Sequence, residues 1–190
     1  MLSVDDKVII EVIADVNSGL KKYKKIMELF NNHKIDVSKD KDFQRYFNDF
    51  FQMGRHNEEF YNEYYSYFEF LKGSVPDFKD AMDAFYKKIG KVEASFISKM
   101  LHMLDNNLPI YDNNILKYFW IVKPTHSDDY KKRIQKAIVI YRRISQWYAD
   151  FIPGEEGQKW LRLFDEQYPD SNISSVKKID FILGKLGAVK

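Results

Sequence analysis

Residues 77–104 read DFKDAMDAFYKKIGKVEASFISKMLHML, and this stretch decides the fold class. Asp77 is a residue type that caps a helix, Gly90 is one that ends it, and a second helical segment begins almost at once at Val92. Two helices joined so closely, 77–89 and 92–104, make a tight helical hairpin. The same periodicity continues in both directions. Toward the N-terminus, Val8, Ile9, Val12, Ile13 and Val16 predict a helix over 4–17, weakly capped by Ser3 with Asp6 and stopped near Gly19. Further helices are expected over 21–33, over 40–53 with Gly54 as the stop, and over 56–72, closed by Gly73 and Pro76. Toward the C-terminus, Asp112 caps a short helix to Trp120, Ser127 caps the longest, to Ile152, and segments 154–168 and 174–183 complete the set. The expectation is an all-α fold of about ten helices in one domain, residues 1–190. No strand pattern, internal repeat or dividing linker interrupts it.

The chain has 190 residues, 45% hydrophobic and 31% charged, an ordinary globular balance that can build a core. It contains no cysteine. A disulfide framework, a zinc ribbon and a cysteine-held iron–sulfur cluster are therefore excluded, and a cytoplasmic location is the expectation. Asp5, Asp6, Glu11 and Asp15 interrupt the first apolar stripe, which reads as a helix rather than a signal peptide. No apolar run approaches the length of about 18 residues that a membrane helix needs. A net charge of +2 does not by itself announce a nucleic-acid partner. The 13 Tyr and 15 Phe are the unusual feature, and twelve aromatics fall between Phe43 and Phe70. Such rings either fill a helical core or offer stacking platforms to bases.

Chemistry concentrates in Ser95-Phe96-Ile97-Ser98-Lys99-Met100-Leu101-His102, followed past a polar turn, Asp105-Asn106-Asn107, by Pro109-Ile110-Tyr111-Asp112. A carboxylate at the start of a helix accepts backbone N–H groups and complements the helix dipole, so Asp112 reads as an N-cap. Lys99 lies on the preceding helix, where a hairpin brings it near Asp112 or leaves it in solvent.

This motif resembles the central motif of small bacterial proteins related to the helix-hairpin-helix DNA glycosylases, including those described as having an 8-oxoguanine glycosylase fold. The resemblance covers about residues 85–120. It implies a two-lobed helical bundle with a central cleft, a degenerate hairpin at Lys87-Lys88-Ile89-Gly90-Lys91 that grips DNA backbone, and Asp112 as the residue that drives base excision. Only one glycine remains in the hairpin, so the grip depends more on Lys87, Lys88 and Lys91. Glu93 stands where bifunctional relatives carry a nucleophilic lysine, so the resemblance implies a monofunctional enzyme in which Lys99 belongs to the catalytic site as an electrostatic partner of Asp112 or of a DNA phosphate rather than as a nucleophile.

Cleavage of an N-glycosidic bond passes through a cationic sugar that a fixed carboxylate stabilises. The target base must first leave the stack for a pocket. Phe96, His102, Tyr111, Arg55 with His56, and the aromatics near 43–65 are candidates to hold it. Lys131, Lys132 and Arg133 begin a basic helix that suits phosphates, or a solvated surface. The implied partner is double-stranded DNA with a flipped base, bound by a monomer that uses no cofactor and no metal. The alternative is a helical DNA-binding or protein-interaction module without catalysis.

Overall fold

Seven short polar side chains set the starts of seven helices in the computed structural model, which describes residues 4–32, 34–54, 56–124 and 129–189. Asp5, Asp40, Asn57, Asp77, Asp112, Asp129 and Ser174 each accept an N–H from the first turn that follows. Each satisfies one of the donors that a helix start leaves without an intrahelical partner. The described residues form ten helices and no strand: α1 Asp6–Ala14, α2 Asn17–Phe30, α3 Lys41–Phe50, α4 Glu58–Phe70, α5 Phe78–Ile89, α6 Ala94–Leu104, α7 Asn113–Tyr118, α8 Tyr130–Phe151, α9 Glu155–Gln167 and α10 Ser175–Ala188. The all-helical expectation holds, and α5 and α6 pack on one another across Gly90, whose φ of 66° closes α5.

Boundaries differ where packing overrules local signals. The first helix ends earlier than expected, at Ala14, and the second begins earlier, at Asn17, and runs through Gly19. Gly19 is not a stop: a Cβ there would lie 3.1 Å from the Phe181 ring, so its small size lets α2 approach α10. Ser3, His33 and Ser127 lie outside the described residues, and the observed cap of α8 is Asp129. The last helix passes the expected end at Leu183 and continues to Ala188.

One cluster of buried apolar side chains draws members from every helix, and most of the rings of 43–70 belong to it. α10 lies along α7, α2 packs on α3, and α1 meets α9 and α10. The α10–α7 contact needs Gly187, where a Cβ would fall 1.8 Å from the Asn114 carbonyl oxygen. Gly184, one turn earlier, has nothing within 4 Å of that position. Gly187→Ala is expected to destabilise the fold by about 1–3 kcal/mol through overpacking. Gly184→Ala should instead stabilise it by about 1 kcal/mol, the helix propensity difference. Thermal melting of the two variants, shifted in opposite directions, checks this.

Candidate active site

α6 turns its polar residues inward. Ser98, Lys99 and His102 sit on one face, are all buried, and each holds backbone of another segment. Ser98 Oγ accepts the Tyr111 N–H at 2.9 Å. His102 Nδ1 lies 2.7 Å from the Leu108 carbonyl, and Nε2 lies 3.1 Å from the Tyr23 hydroxyl. A carbonyl only accepts, so Nδ1 carries the proton and Nε2 accepts from Tyr23 O–H. Two of these bonds fasten the 105–111 loop to α6 at its middle and at its end, just before Asp112 and the start of α7. Burial, with Lys177 nearby, pushes the His102 ring down to about 3, while the Leu108 carbonyl pulls it the other way. The ring is neutral throughout the physiological range.

Lys99 serves the end of another helix. Gln52 has φ of 46° and Met53 N–H bonds the Asn48 carbonyl, which closes α3 and leaves the Phe51 carbonyl free of helix partners. Lys99 Nζ donates to that carbonyl at 2.8 Å. Burial lowers the ammonium to about 8, the Asp112 charge opposes that shift, and Lys123 and Lys177 add to it.

Asp112 Oδ1 accepts the Asn114 N–H at 2.8 Å, and the residue remains half-buried. It lines a cavity of about 530 Å³ between the α1–α2 corner, the C-terminal end of α3 and the face of α10. Three rings of the wall are Phe50, Phe51 and Phe181, and two exposed ion pairs, Lys22–Asp49 at 2.7 Å and Lys185–Asp15, bring charge to the same walls. Lys177 and Asp180, from α10, carry its buried charge. Their side chains are only 4% and 3% exposed, with Lys177 Nζ 3.8 Å from Asp180 Oδ2. The ammonium stands 4.7 to 5.5 Å from the centroids of Tyr23, Phe181, Phe50 and Phe51, whose faces offset part of its lost hydration. Asp180 Oδ1 accepts the Tyr148 O–H, and Oδ2 makes no hydrogen bond. Burial pushes Asp180 up to about 6, against the pull of Lys177 and Tyr148 and with a small push from Asp112.

Several expected base contacts are placed elsewhere. Phe96 is sealed among His56, Phe60 and Tyr64, with ring centroids at 5.0, 5.1 and 5.7 Å. Tyr111 and His102 are buried and absent from the cavity wall, so the two serve as supports beneath the site. Arg55 lies outside the described residues. His56 stacks on Phe60 at 3.8 Å and lies the same distance from Glu93. Of the aromatics near 43–65, Phe50 and Phe51 do reach the cavity.

The basic residues expected to meet DNA are brought together. Tyr86 at the end of α5 stacks on Tyr130 at the start of α8, with centroids 4.4 Å apart. That contact sets exposed Lys87, Lys88, Gly90 and Lys91 beside Lys131, Lys132 and the half-buried Arg133. Lys91 and Arg133 both act on the Glu93 carboxylate, as does Lys123, which also feels Asp112. Lys88 and Lys132 have local carboxylate neighbours, Glu63 and Asp129, at 3.8 and 3.7 Å.

Lys177 and Asp180 escaped the sequence reading, although a signal exists: Asp180 interrupts the apolar stripe Val176, Ile179, Leu183, Leu186 of its helix. Among the described residues, no group of three or more His, Asp and Glu has the arrangement of a metal site, and no helix is long and apolar enough to cross a membrane. Set against protein-family models, curated proteins and solved structures, the chain gives no match.

Proposed function

We propose that this protein excises a modified base from double-stranded DNA by hydrolysing its N-glycosidic bond, with Asp112 stabilising the cationic sugar. The observation that carries this reading is the position of Asp112. Its carboxylate caps α7 with one oxygen, and the residue also lines a cavity of about 530 Å³ that has three aromatic residues in its wall. A plain helix cap needs water or backbone around it. A carboxylate that stabilises a sugar cation needs a concave, partly dry site large enough for the extruded nucleotide. The buried lysines beneath it, Lys99 and Lys177, keep the Asp112 charge from being isolated while leaving it open to the cavity.

The basic patch formed by the α5–α6 corner and the start of α8 supports a duplex as the substrate. Lysines and arginine on two adjoining elements suit phosphates spaced along a strand. Lys99, buried against the Phe51 carbonyl, cannot reach a phosphate, so within this reading it offsets the Asp112 charge from below. The test is incubation with a panel of duplexes carrying oxidised, alkylated or otherwise modified bases, with released base read by mass. Release of a free base supports the reading. Binding to duplexes without release from any of them would favour a non-catalytic DNA-binding module.

A further inference from the structure

The exposed face of α8 carries a row of cations that ends at an apolar notch. Lys132, Lys136, Val139 and Arg143 recur at steps of four, three and four residues, which places them on one face, and all four are exposed. From Tyr130 to Ala149 the helix has no carboxylate. At about 1.5 Å per residue, the row from Lys132 to Arg143 spans roughly 16 Å, long enough to follow several successive phosphates of one strand. Lys132 keeps Asp129 as a neighbour at 3.7 Å, at the end of the row nearest the α5–α6 corner.

One turn beyond Arg143 stands the half-buried Trp147. The two share a notch of about 350 Å³ whose apolar wall is Phe119, Ile121 and Ile144. Phe151 covers one face of the indole, with centroids 4.3 Å apart and planes 15° apart, while Phe119 meets it at 70°. Phe151 does not line the notch, so the part of the indole that does lies on the side away from Phe151. Gln146 donates to Asp150 at 2.9 Å, and this pair forms the polar end of the wall, two turns from Arg143. Trp120 has φ of 56°, a left-handed backbone that bulky residues rarely adopt, and is 80% exposed between Phe119 and Ile121. That bend closes α7 and lets both neighbours reach the notch.

We propose that this face binds an unpaired stretch of DNA, with its phosphates along Lys132, Lys136 and Arg143 and one of its bases stacked on Trp147 in the notch. The row of cations calls for a polyanion. A second copy presenting the same face would set cation against cation. A duplex supplies phosphates but keeps its base faces stacked on one another, whereas an unpaired strand supplies phosphates and a ring together. Asp150 repels phosphate from the far end of the notch and leaves the backbone to the Arg143 end. Because the wall around the indole is apolar, the site should accept any base by its face rather than read its edge. The inference shares a DNA partner with the base-excision reading and uses none of the cavity around Asp112, so each can fail without the other.

Bases and phosphates are separated by two labelled probes of equal length, an oligothymidylate and an oligomer with abasic sites throughout, titrated with the full chain at several salt concentrations. The oligothymidylate is expected to bind about tenfold more tightly, the worth of one stacked base. Trp147→Ala should erase that difference. Arg143→Ala should weaken both probes and flatten the log–log salt slope by about 0.7, one phosphate of a single strand. Ile121→Glu, which sets a charge in the notch, should also erase the difference, and it decides the matter if Trp147→Ala does not fold. Equal binding of the two probes by the wild type, a difference that survives in the folded notch variants, or a salt slope unmoved by Arg143→Ala would each overturn the site. Dimerisation that Trp147→Ala abolishes would overturn it as well and give the notch to a second copy. Failure to release base from any duplex would count against Asp112 alone, since neither probe depends on excision.

Discussion

Asp112→Asn is expected to lower base release by at least about a hundredfold while duplex binding persists, because it removes the charge that the proposed mechanism sets against the cationic sugar and keeps the shape of the side chain. Asparagine caps a helix as well as aspartate does, so the bond to the Asn114 N–H survives and the loss of stability stays within about 1 kcal/mol. Single-turnover release, a binding titration and a melting curve on the same preparation separate the three quantities. A variant that releases base at the wild-type rate would return Asp112 to the status of a helix cap. The neighbouring lysine gives the companion result. Lys99 Nζ is engaged by the Phe51 carbonyl, and Lys99 is not part of the cavity wall, so borohydride is expected to trap no DNA adduct through it. An adduct that forms with the wild type and disappears in Lys99→Ala would make Lys99 the nucleophile.

The second large effect is on acid stability, and it comes from His102. In the folded protein burial holds the ring at about 3, against an ordinary value of 6.5. Between those limits the unfolded chain binds a proton that the folded chain does not, so this stabilising contribution is complete above pH 6.5 and is lost as the pH falls toward 3. Asp180 works in the opposite direction over part of that range: its folded value of about 6 exceeds the ordinary 3.8, and its folded form takes up the proton first. Comparing variants isolates the histidine. His102→Gln is expected to cost about 2–4 kcal/mol at pH 7, where it breaks the links to Leu108 and Tyr23. The gap to wild type should narrow by about 2–3 kcal/mol at pH 4.5, because the variant has no ring left to protonate. Urea unfolding at the two pH values measures it. Parallel profiles for the two proteins would show that His102 titrates normally and that its buried bonds are weaker than their geometry indicates.

The sequence alone determined what depends on neighbours along the chain. Asp40, Asp77, Asp112 and Ser174 act as caps because an N-cap bond spans only two or three residues, and Gly90 ends α5 because only local backbone strain is involved. Periodicity placed the helices for the same reason, and the position of Asp112 at the head of α7 was legible from its motif. The function of the other motif residues was not. Ser98 and His102 look like site residues in a linear reading, yet they anchor a loop, since whether a polar side chain meets a ligand or a backbone carbonyl depends on what packs over it. Gly19 looks like a helix stop, but α2 runs through it, and Gly187 lies inside α10, because close packing against Phe181 and Asn114 outweighs a propensity cost of about 1 kcal/mol per glycine. The cavity itself was decided by tertiary structure. Lys177 and Asp180 lie more than sixty residues beyond Asp112, and their meeting follows from α10 lying along α7. Burial then gives those charges their properties, because the cost of removing a charge from water exists only once the surrounding helices have excluded the water.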